Sequence, residues 1–204
     1  MEQKGVTVWF TGLSGSGKTA LALRLEQELR RRGLKVERLD GDIVRQGLTR
    51  DLGFSKEDRD KNIERVTFVA KLLTRNGVAA LCSFISPYCA VRANSRQQIG
   101  NFVEVYCYAT LDKLIERDVK GLYKKALAGE IPNFTGVSDP YEAPEDPEVL
   151  IDSGEETIDG SLAKIVRKLE ELGYMPHIAD EDLPPYSAEE EAAIEARLTA
   201  LGYL

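Results

Sequence analysis

Gly12-Leu13-Ser14-Gly15-Ser16-Gly17-Lys18-Thr19 satisfies GxxxxGK[ST] at every fixed position, and the rest of the chain is best read outward from it. Glycine at these places lets successive backbone N–H groups turn inward around phosphate oxygens, where a Cβ would block the approach. Lys18 is spaced to reach the β- and γ-phosphates, and the Thr19 hydroxyl to hold Mg²⁺. The flanks are the ones this motif requires. Val6–Thr11 before it reads as a short buried strand. Lys18–Arg32 after it carries Leu21, Leu25 and Leu29 at helical spacing and stops at Gly33. That helix presents its positive N-terminus to the same anion. The loop therefore predicts a bound nucleoside triphosphate, ATP with Mg²⁺, but does not by itself specify a kinase.

Further out, short apolar runs alternate with helical stretches. Val36–Leu39 is a second strand, ending at Asp40-Gly41-Asp42. Ser55 opens a long helix, with Asp58 three residues on as a capping box, and Asn76-Gly77 closes it. Val78–Phe84 is a third strand, followed by Ile85-Ser86-Pro87 and a helix to about Ile99. Phe102–Tyr108 is a fourth strand, Leu111–Val119 a helix, Val149–Asp152 a fifth strand, and Thr157–Leu172 a helix stopped by Gly173. Such alternation builds βαβ units. The expected fold is a three-layer α/β/α P-loop NTPase of the nucleotide-kinase-like kind, with a mostly parallel five-stranded sheet. Gly129–Pro147 lacks periodicity, and an irregular insert of that length in a compact domain is expected to serve the site, here as part of a lid within about 120–147. Residues 1–174 form the expected domain. Residues 175–204 form an acidic extension, broken at Pro184-Pro185, with a short helix carrying Ile194, Leu198 and Leu201 after Ser187.

Composition narrows the function classes. The net charge is −7, but seven of the 34 acids and only one of the 27 Lys and Arg lie from Met175 onward. The extension thus carries −6 and the remainder −1, so the bulk field does not repel an anionic substrate. No basic stripe suggests nucleic acid. No apolar run approaches the roughly 20 residues needed to cross a bilayer. Met1 to Lys4 runs straight into the first strand, without a signal peptide. Cys82, Cys89 and Cys107 have unrelated spacings, which predicts free thiols in a reducing cytoplasm. His177 is the one histidine and lies in the extension, so histidine acid–base catalysis is not expected.

The third strand, VAALCSF, offers no Walker-B aspartate. Asp40 and Asp42 instead end the second strand, where strand C-termini line the crevice of a doubly wound sheet. There they suit Mg²⁺ binding or acceptance of a proton from an attacking hydroxyl; the alternative is an Asp-Gly turn with Asp42 capping a helix. Arg45, Arg59, Asn62 and Arg65 follow. Guanidinium groups bind phosphate or sulfate oxygens with paired donors, which suits a doubly anionic acceptor. The alternative for Arg65 and Lys61 is pairing with Asp58, Asp60 and Glu64 on a solvated helix face.

These residues, together with LDGD (39–42), DLGF (51–54), SKEDRDKN (55–62), FISPY (84–88), KGLYKKA (120–126) and NFTGVSDPYEAP (133–144), closely resemble the adenylylsulfate kinases over about Lys4–Met175. The resemblance implies transfer of the γ-phosphoryl group of ATP to the 3′-hydroxyl of adenosine 5′-phosphosulfate (APS), giving PAPS and ADP. It implies that Arg45, Arg59 and Asn62 bind the phosphosulfate end and ribose side. Phe54 and Phe134 would flank the adenine, Ile85 and Ser86 would border the acceptor with Leu122, and Lys120 would close from the lid. Asp42, with Asp40, would activate the hydroxyl or organise Mg²⁺, the latter beside Thr19. Ser86 occupies the family's catalytic serine position. No base is apparent beside it, so a polar lining role is expected rather than a phosphoserine. Gln46, Thr49 and Cys82-Ser83 depart from the family pattern without touching a proposed role. A homodimer and a functional link to an ATP sulfurylase are expected on the same grounds, with no sulfurylase fused to this chain. Two competing readings are a kinase for another acceptor, such as a sugar or nucleoside monophosphate, and a silent module regulating a sulfurylase.

Overall fold

The computed structural model describes residues 3–118 and 120–186, together with 192, 193, 195, 196 and 199. Five parallel strands form one sheet in the order β2-β3-β1-β4-β5: β1 Val6–Thr11, β2 Val36–Asp40, β3 Ala79–Ser83, β4 Phe102–Tyr108 and β5 Val149–Asp152. All six residues of β1 are buried, as a central strand covered on both faces must be. Val6, Val8 and Phe10 pack towards α1 (Lys18–Arg31) and α7 (Ile158–Glu171), which contribute Leu21, Leu25, Leu29, Ile165 and Leu169. Trp9 points the other way, into a cluster with Ile63, Val66 and Ala70 of α3 (Lys56–Arg75). α4 (Cys89–Ile99) lies beside α3 on that face.

The chain crosses from β1 outward to β2, returns to β3, and then crosses to β4 on the far side of β1. This strand order places the switch point at the C-terminal end of β1, the position where open α/β sheets bind ligands. The glycine loop, Asp40, the turn after Ser83 and the turn after Tyr108 all open there.

Two short helices were not expected from periodicity: α2 (Gly41–Gln46) and α6 (Leu122–Leu127). α2 is capped by Asp40, whose Oδ1 accepts from Asp42 N at 3.1 Å, so the cap is Asp40 and not Asp42. At the start of α3, Ser55 Oγ accepts from Asp58 N at 3.2 Å as a capping box predicts. The reciprocal half differs, because the Asp58 carboxylate accepts from Gly53 N at 2.9 Å and ties down the preceding loop. α5 spans Leu111–Arg117, and Val119, placed at the end of this helix by periodicity, lies outside the described residues.

Met175 joins the core on the α1/α7 side, Leu183 is buried, and the Tyr186 hydroxyl donates to Glu28 Oε2 at 2.9 Å. Residues 192, 193, 195, 196 and 199 are helical. The apolar positions expected of this helix, Ile194, Leu198 and Leu201, and its start at Ser187 lie outside the described residues. Cys82, Cys89 and Cys107 are free, and none of the described helices is long and apolar enough to cross a membrane.

Candidate active site

Gly12 shows why the loop after β1 tolerates no side chain at its first position. Its φ is +143°, and a Cβ there would lie 2.2 Å from the Cys107 carbonyl oxygen of β4. Gly17, at φ +89°, begins α1 with no side chain capping the first-turn N–H groups. Those donors, together with the helix dipole, face the cleft as an anion cradle. Lys18 Nζ donates to Gly12 O at 2.9 Å and Leu13 O at 2.7 Å, so the ammonium is folded into the loop itself. Burial lowers its pKa to about 8, the nearby carboxylates of Asp40 and Asp42 being too weak to restore it. A phosphate anion in the cradle would supply the missing counter-charge.

Thr19 Oγ1 donates to Asp40 Oδ2 at 2.9 Å. Asp40 is buried, whereas Asp42 is exposed and accepts from Lys120 Nζ at 2.6 Å. The two aspartates that the sequence left equivalent are therefore distinct: Asp40 adjoins the Thr19 hydroxyl, and Asp42 meets the lid. These hydroxyl and carboxylate oxygens are hard donors of the kind Mg²⁺ takes. The same segment, expected to form a lid, reaches the glycine loop itself through Tyr123 Oη, which donates to Ser14 O at 2.8 Å.

Around this centre lies one continuous cleft of about 1190 Å³. A single small-ligand site usually occupies roughly 300–1,000 Å³, so there is room for two substrates on either side of the phosphate loop. One arm holds Arg45, Phe54, Arg59 and Asn62 from the α2–α3 region, Ile85 and Ser86 after β3, and Lys120, Leu122 and Phe134 from the lid. The structure thus collects all the acceptor-side residues singled out in the sequence, but it gives them unequal parts. Among the described residues Arg45 donates to carbonyls, Leu52 O and Gly53 O, and to no carboxylate, and its guanidinium lies 4.3 Å from the centroid of the exposed Phe54 ring. Burial, then the neighbouring Arg59 charge, lowers its pKa against the weaker pull of Asp58 and Asp42. Arg59 is already engaged, by Asp139 at 2.5 Å, Thr135 Oγ1 at 2.7 Å and the Asn133 carbonyl of the lid.

Asn62 is buried and its Oδ1 accepts from Thr49 Oγ1 at 2.7 Å. Thr49, a departure expected to touch no proposed role, in fact orients a site residue. Phe134 stands edge-on to Tyr123 at 5.1 Å. Arg65 is bound by Asp51, at 2.6 Å, and not by the helical acids Asp58, Asp60 and Glu64.

Ser86 is buried with φ +39°, a region non-glycine residues rarely occupy. Its hydroxyl accepts from Trp9 Nε1 at 2.9 Å and lies 3.3 Å from Thr11 Oγ1 and Phe84 O. Among the described residues no carboxylate, imidazole or amine bonds it, so nothing there is suited to take its proton.

The other arm escaped the sequence reading. Arg117 and Asp118 at the end of α5, Ser153 after β5, and Thr157 and Ile158 at the start of α7 line it. They come from two places, the end of α5 and the β5–α7 connection, and share no motif spacing, so only the fold brings them together.

Residues 4–152 match the family model described as adenylylsulphate kinase. A probable adenylyl-sulfate kinase of Pseudomonas aeruginosa is 63% identical over 168 residues, covering 82% of this chain and 78% of that protein. A probable bifunctional SAT/APS kinase 2 of Sorangium cellulosum is 62% identical over 84% of this chain, which corresponds to 30% of the larger protein. Among solved structures, the Mycobacterium tuberculosis APS kinase CysC in complex with AMPPNP and APS is similar, with a TM-score of 0.79 and 42% identity, covering 82% of this chain and 99% of that one. Matched over residues 4–152 and to relatives above 60% identity, with its phosphate loop at the switch point of the sheet, the chain belongs to the adenylylsulfate kinase family.

Proposed function

We propose that this chain phosphorylates the 3′-hydroxyl of adenosine 5′-phosphosulfate with ATP, giving PAPS and ADP. The observation that carries this is the two-armed cleft: a phosphate cradle at its centre, and on one side two phenylalanines and Arg45, which donates to no carboxylate among the described residues. A flat base between aromatic rings and an anionic tail on a guanidinium is the acceptor such an arm fits. That a similar structure was solved with both AMPPNP and APS supports a site for two nucleotides.

In this reading the loop N–H groups and Lys18 hold the ATP phosphates, and the arm of Arg117, Asp118, Ser153 and Thr157 receives its base. Arg45, Arg59 and Asn62 orient the acceptor so that its 3′-oxygen faces the γ-phosphorus in line. The new bond joins that oxygen to phosphorus, the bond to the β,γ-bridging oxygen breaks, and ADP departs. Asp42 receives the hydroxyl proton, and Lys120 balances charge on the transferred group. Thr19, Asp40 and Asp42 are the residues that would hold Mg²⁺, which when bound neutralises phosphate charge.

The chain is further proposed to act in the cytoplasm as a homodimer, alongside an ATP sulfurylase. The 63% exposed Phe68, one turn along α3 from Arg65, is a candidate contact; a single-chain mass by light scattering would remove the dimer.

The test is direct measurement of PAPS and ADP from Mg-ATP and APS, with nucleoside monophosphates and gluconate as rival acceptors. Selective PAPS formation is expected. ATP binding without turnover of any acceptor would instead favour the silent regulatory module. In the same assay Ser86→Ala is expected to retain kcat within about tenfold, since its hydroxyl has no base. Loss of all turnover in a folded Ser86→Ala would restore the phosphoserine.

A further inference from the structure

The strained Ser86 turn must be held by its surroundings. A left-handed conformation in a non-glycine residue costs of order 1–3 kcal/mol and persists only when neighbours over-determine it. Here the following residue is Pro87, which adds to the cost, because a residue before proline prefers extended backbone. Three groups oppose that cost from within the core. Thr11 Oγ1 donates to the Ile85 carbonyl at 2.8 Å and lies 3.3 Å from the Ser86 hydroxyl, Trp9 donates its indole N–H to the Ser86 hydroxyl, and Arg92 donates Nη1 to the Ser86 carbonyl at 2.6 Å.

Arg92 is 3% exposed, and its donors serve different parts of the fold. Nε binds Glu104 Oε1 of β4 at 2.7 Å. Nη2 binds the Glu142 carbonyl, in the segment returning from the lid, at 2.7 Å, and Cys89 Sγ at 3.1 Å. Glu104 is in turn 3.5 Å from Arg96, which pairs with Glu148, and the Glu148 carboxylate accepts from Glu104 N at 2.6 Å. The planar guanidinium thus meets β4, the acceptor-side turn and the lid return together, while Thr11 links the Ile85 carbonyl to the return separately, through Tyr141 Oη at 2.9 Å. A lysine ammonium at the same place has no fork to span them.

We infer that Arg92 is a positioning residue: it sets the Ile85–Ser86 wall of the acceptor arm and couples that wall to the lid segment at Glu142, without touching substrate. The inference rests on the reading that this arm takes the acceptor. It has one consequence independent of that reading. Trp9 is the only tryptophan in the chain, and its indole is bonded to Ser86, so its fluorescence reports the turn directly.

The experiment compares wild type, Arg92→Lys and Ser86→Ala, the last giving the emission of an indole without its Ser86 partner. Should Arg92→Lys fail to fold, the Arg92→Met/Glu104→Met pair takes its place, since exchanging a buried ion pair for apolar side chains is often tolerated. The expected result is a shift of Trp9 emission in the direction seen for Ser86→Ala. With it should come a rise of about tenfold or more in KM for APS, and KM for ATP within about twofold of wild type, as expected for lost positioning on one side only. Unshifted emission, or equal movement of the two KM values in a folded variant, would overturn the inference. Wild-type enzyme that ignores APS would sink the functional reading alone, and the emission would still decide the role of Arg92.

Discussion

Lys18→Met is expected to lower kcat by about 10³-fold or more and, at the same time, to raise the melting temperature by about 3–6 °C. The two effects have one cause. Lys18 is 9% exposed and its ammonium rests on backbone carbonyls rather than on a carboxylate, so burial lowers its pKa to about 8. Unfolded, it titrates at about 10.4. Below about pH 8 both states carry the proton, and the folded one bears the whole cost of a desolvated charge, at most about 3 kcal/mol. Between the two values the unfolded chain holds more protons, so stability rises with pH in wild type, and this rise is lost in Lys18→Met. Two carbonyls lose a donor in the variant, which leaves a net gain of about 1–2 kcal/mol. The same charge is what a triphosphate needs, so KM for ATP in wild type should climb above pH 8, by up to about tenfold per unit. Calorimetric melts and initial rates across pH 6.5–10 check both halves. A Lys18→Met protein that melts below wild type would show that the carbonyl contacts outweigh desolvation.

That Lys18 follows a phosphate-binding loop between a strand and a helix was legible; that its ammonium is buried on the loop's own carbonyls was not. The glycine loop, its strand and its helix form a local pattern whose physics is carried by adjacent residues. The five strands were legible for the same reason, since runs such as Val103–Cys107 are long enough to show burial on both faces. α2 and α6 were not. At six residues each, beginning with or just after glycine, they lack periodicity and are held by Asp40 and by Asp118, which accepts from Tyr123 N and Lys124 N. The acceptor-side candidates could be named from their motifs, but neither their partners nor the lining contributed by Arg117, Asp118, Ser153 and Thr157 could be. Arg59 meets Asp139 eighty positions away, Asn62 meets Thr49 across a loop, and Arg92 gathers Ser86, Glu104 and Glu142 with no spacing to announce it. Such pairings are set by crossover geometry, which no local window of sequence contains.

The separation of the two aspartates leads to the second large effect. Asp42→Asn is expected to lower kcat by roughly 10²–10⁴-fold while leaving stability within about 1 kcal/mol of wild type. The Asp42 side chain is 73% exposed and its contact with Lys120 is an exposed one, so the fold draws little from it. Asp40 differs: buried, capping α2 and bonded to Thr19, it cannot be changed without disturbing both the helix and the loop. A large loss in Asp42→Asn would therefore be chemical in origin, but it has two kinds of route. Asp42 either acts directly, taking the hydroxyl proton or helping to hold Mg²⁺, or it aims Lys120 at the transferred phosphoryl group. Lys120→Met and the Asp42→Asn/Lys120→Met double variant separate them. If Asp42 acts only through Lys120, the double variant is no slower than Lys120→Met. If it acts directly, the two losses multiply. An Asp42→Asn enzyme within about threefold of wild-type kcat would exclude both routes; the proton would then leave to water or to Asp40, whose carboxylate already holds the hydroxyl of Thr19.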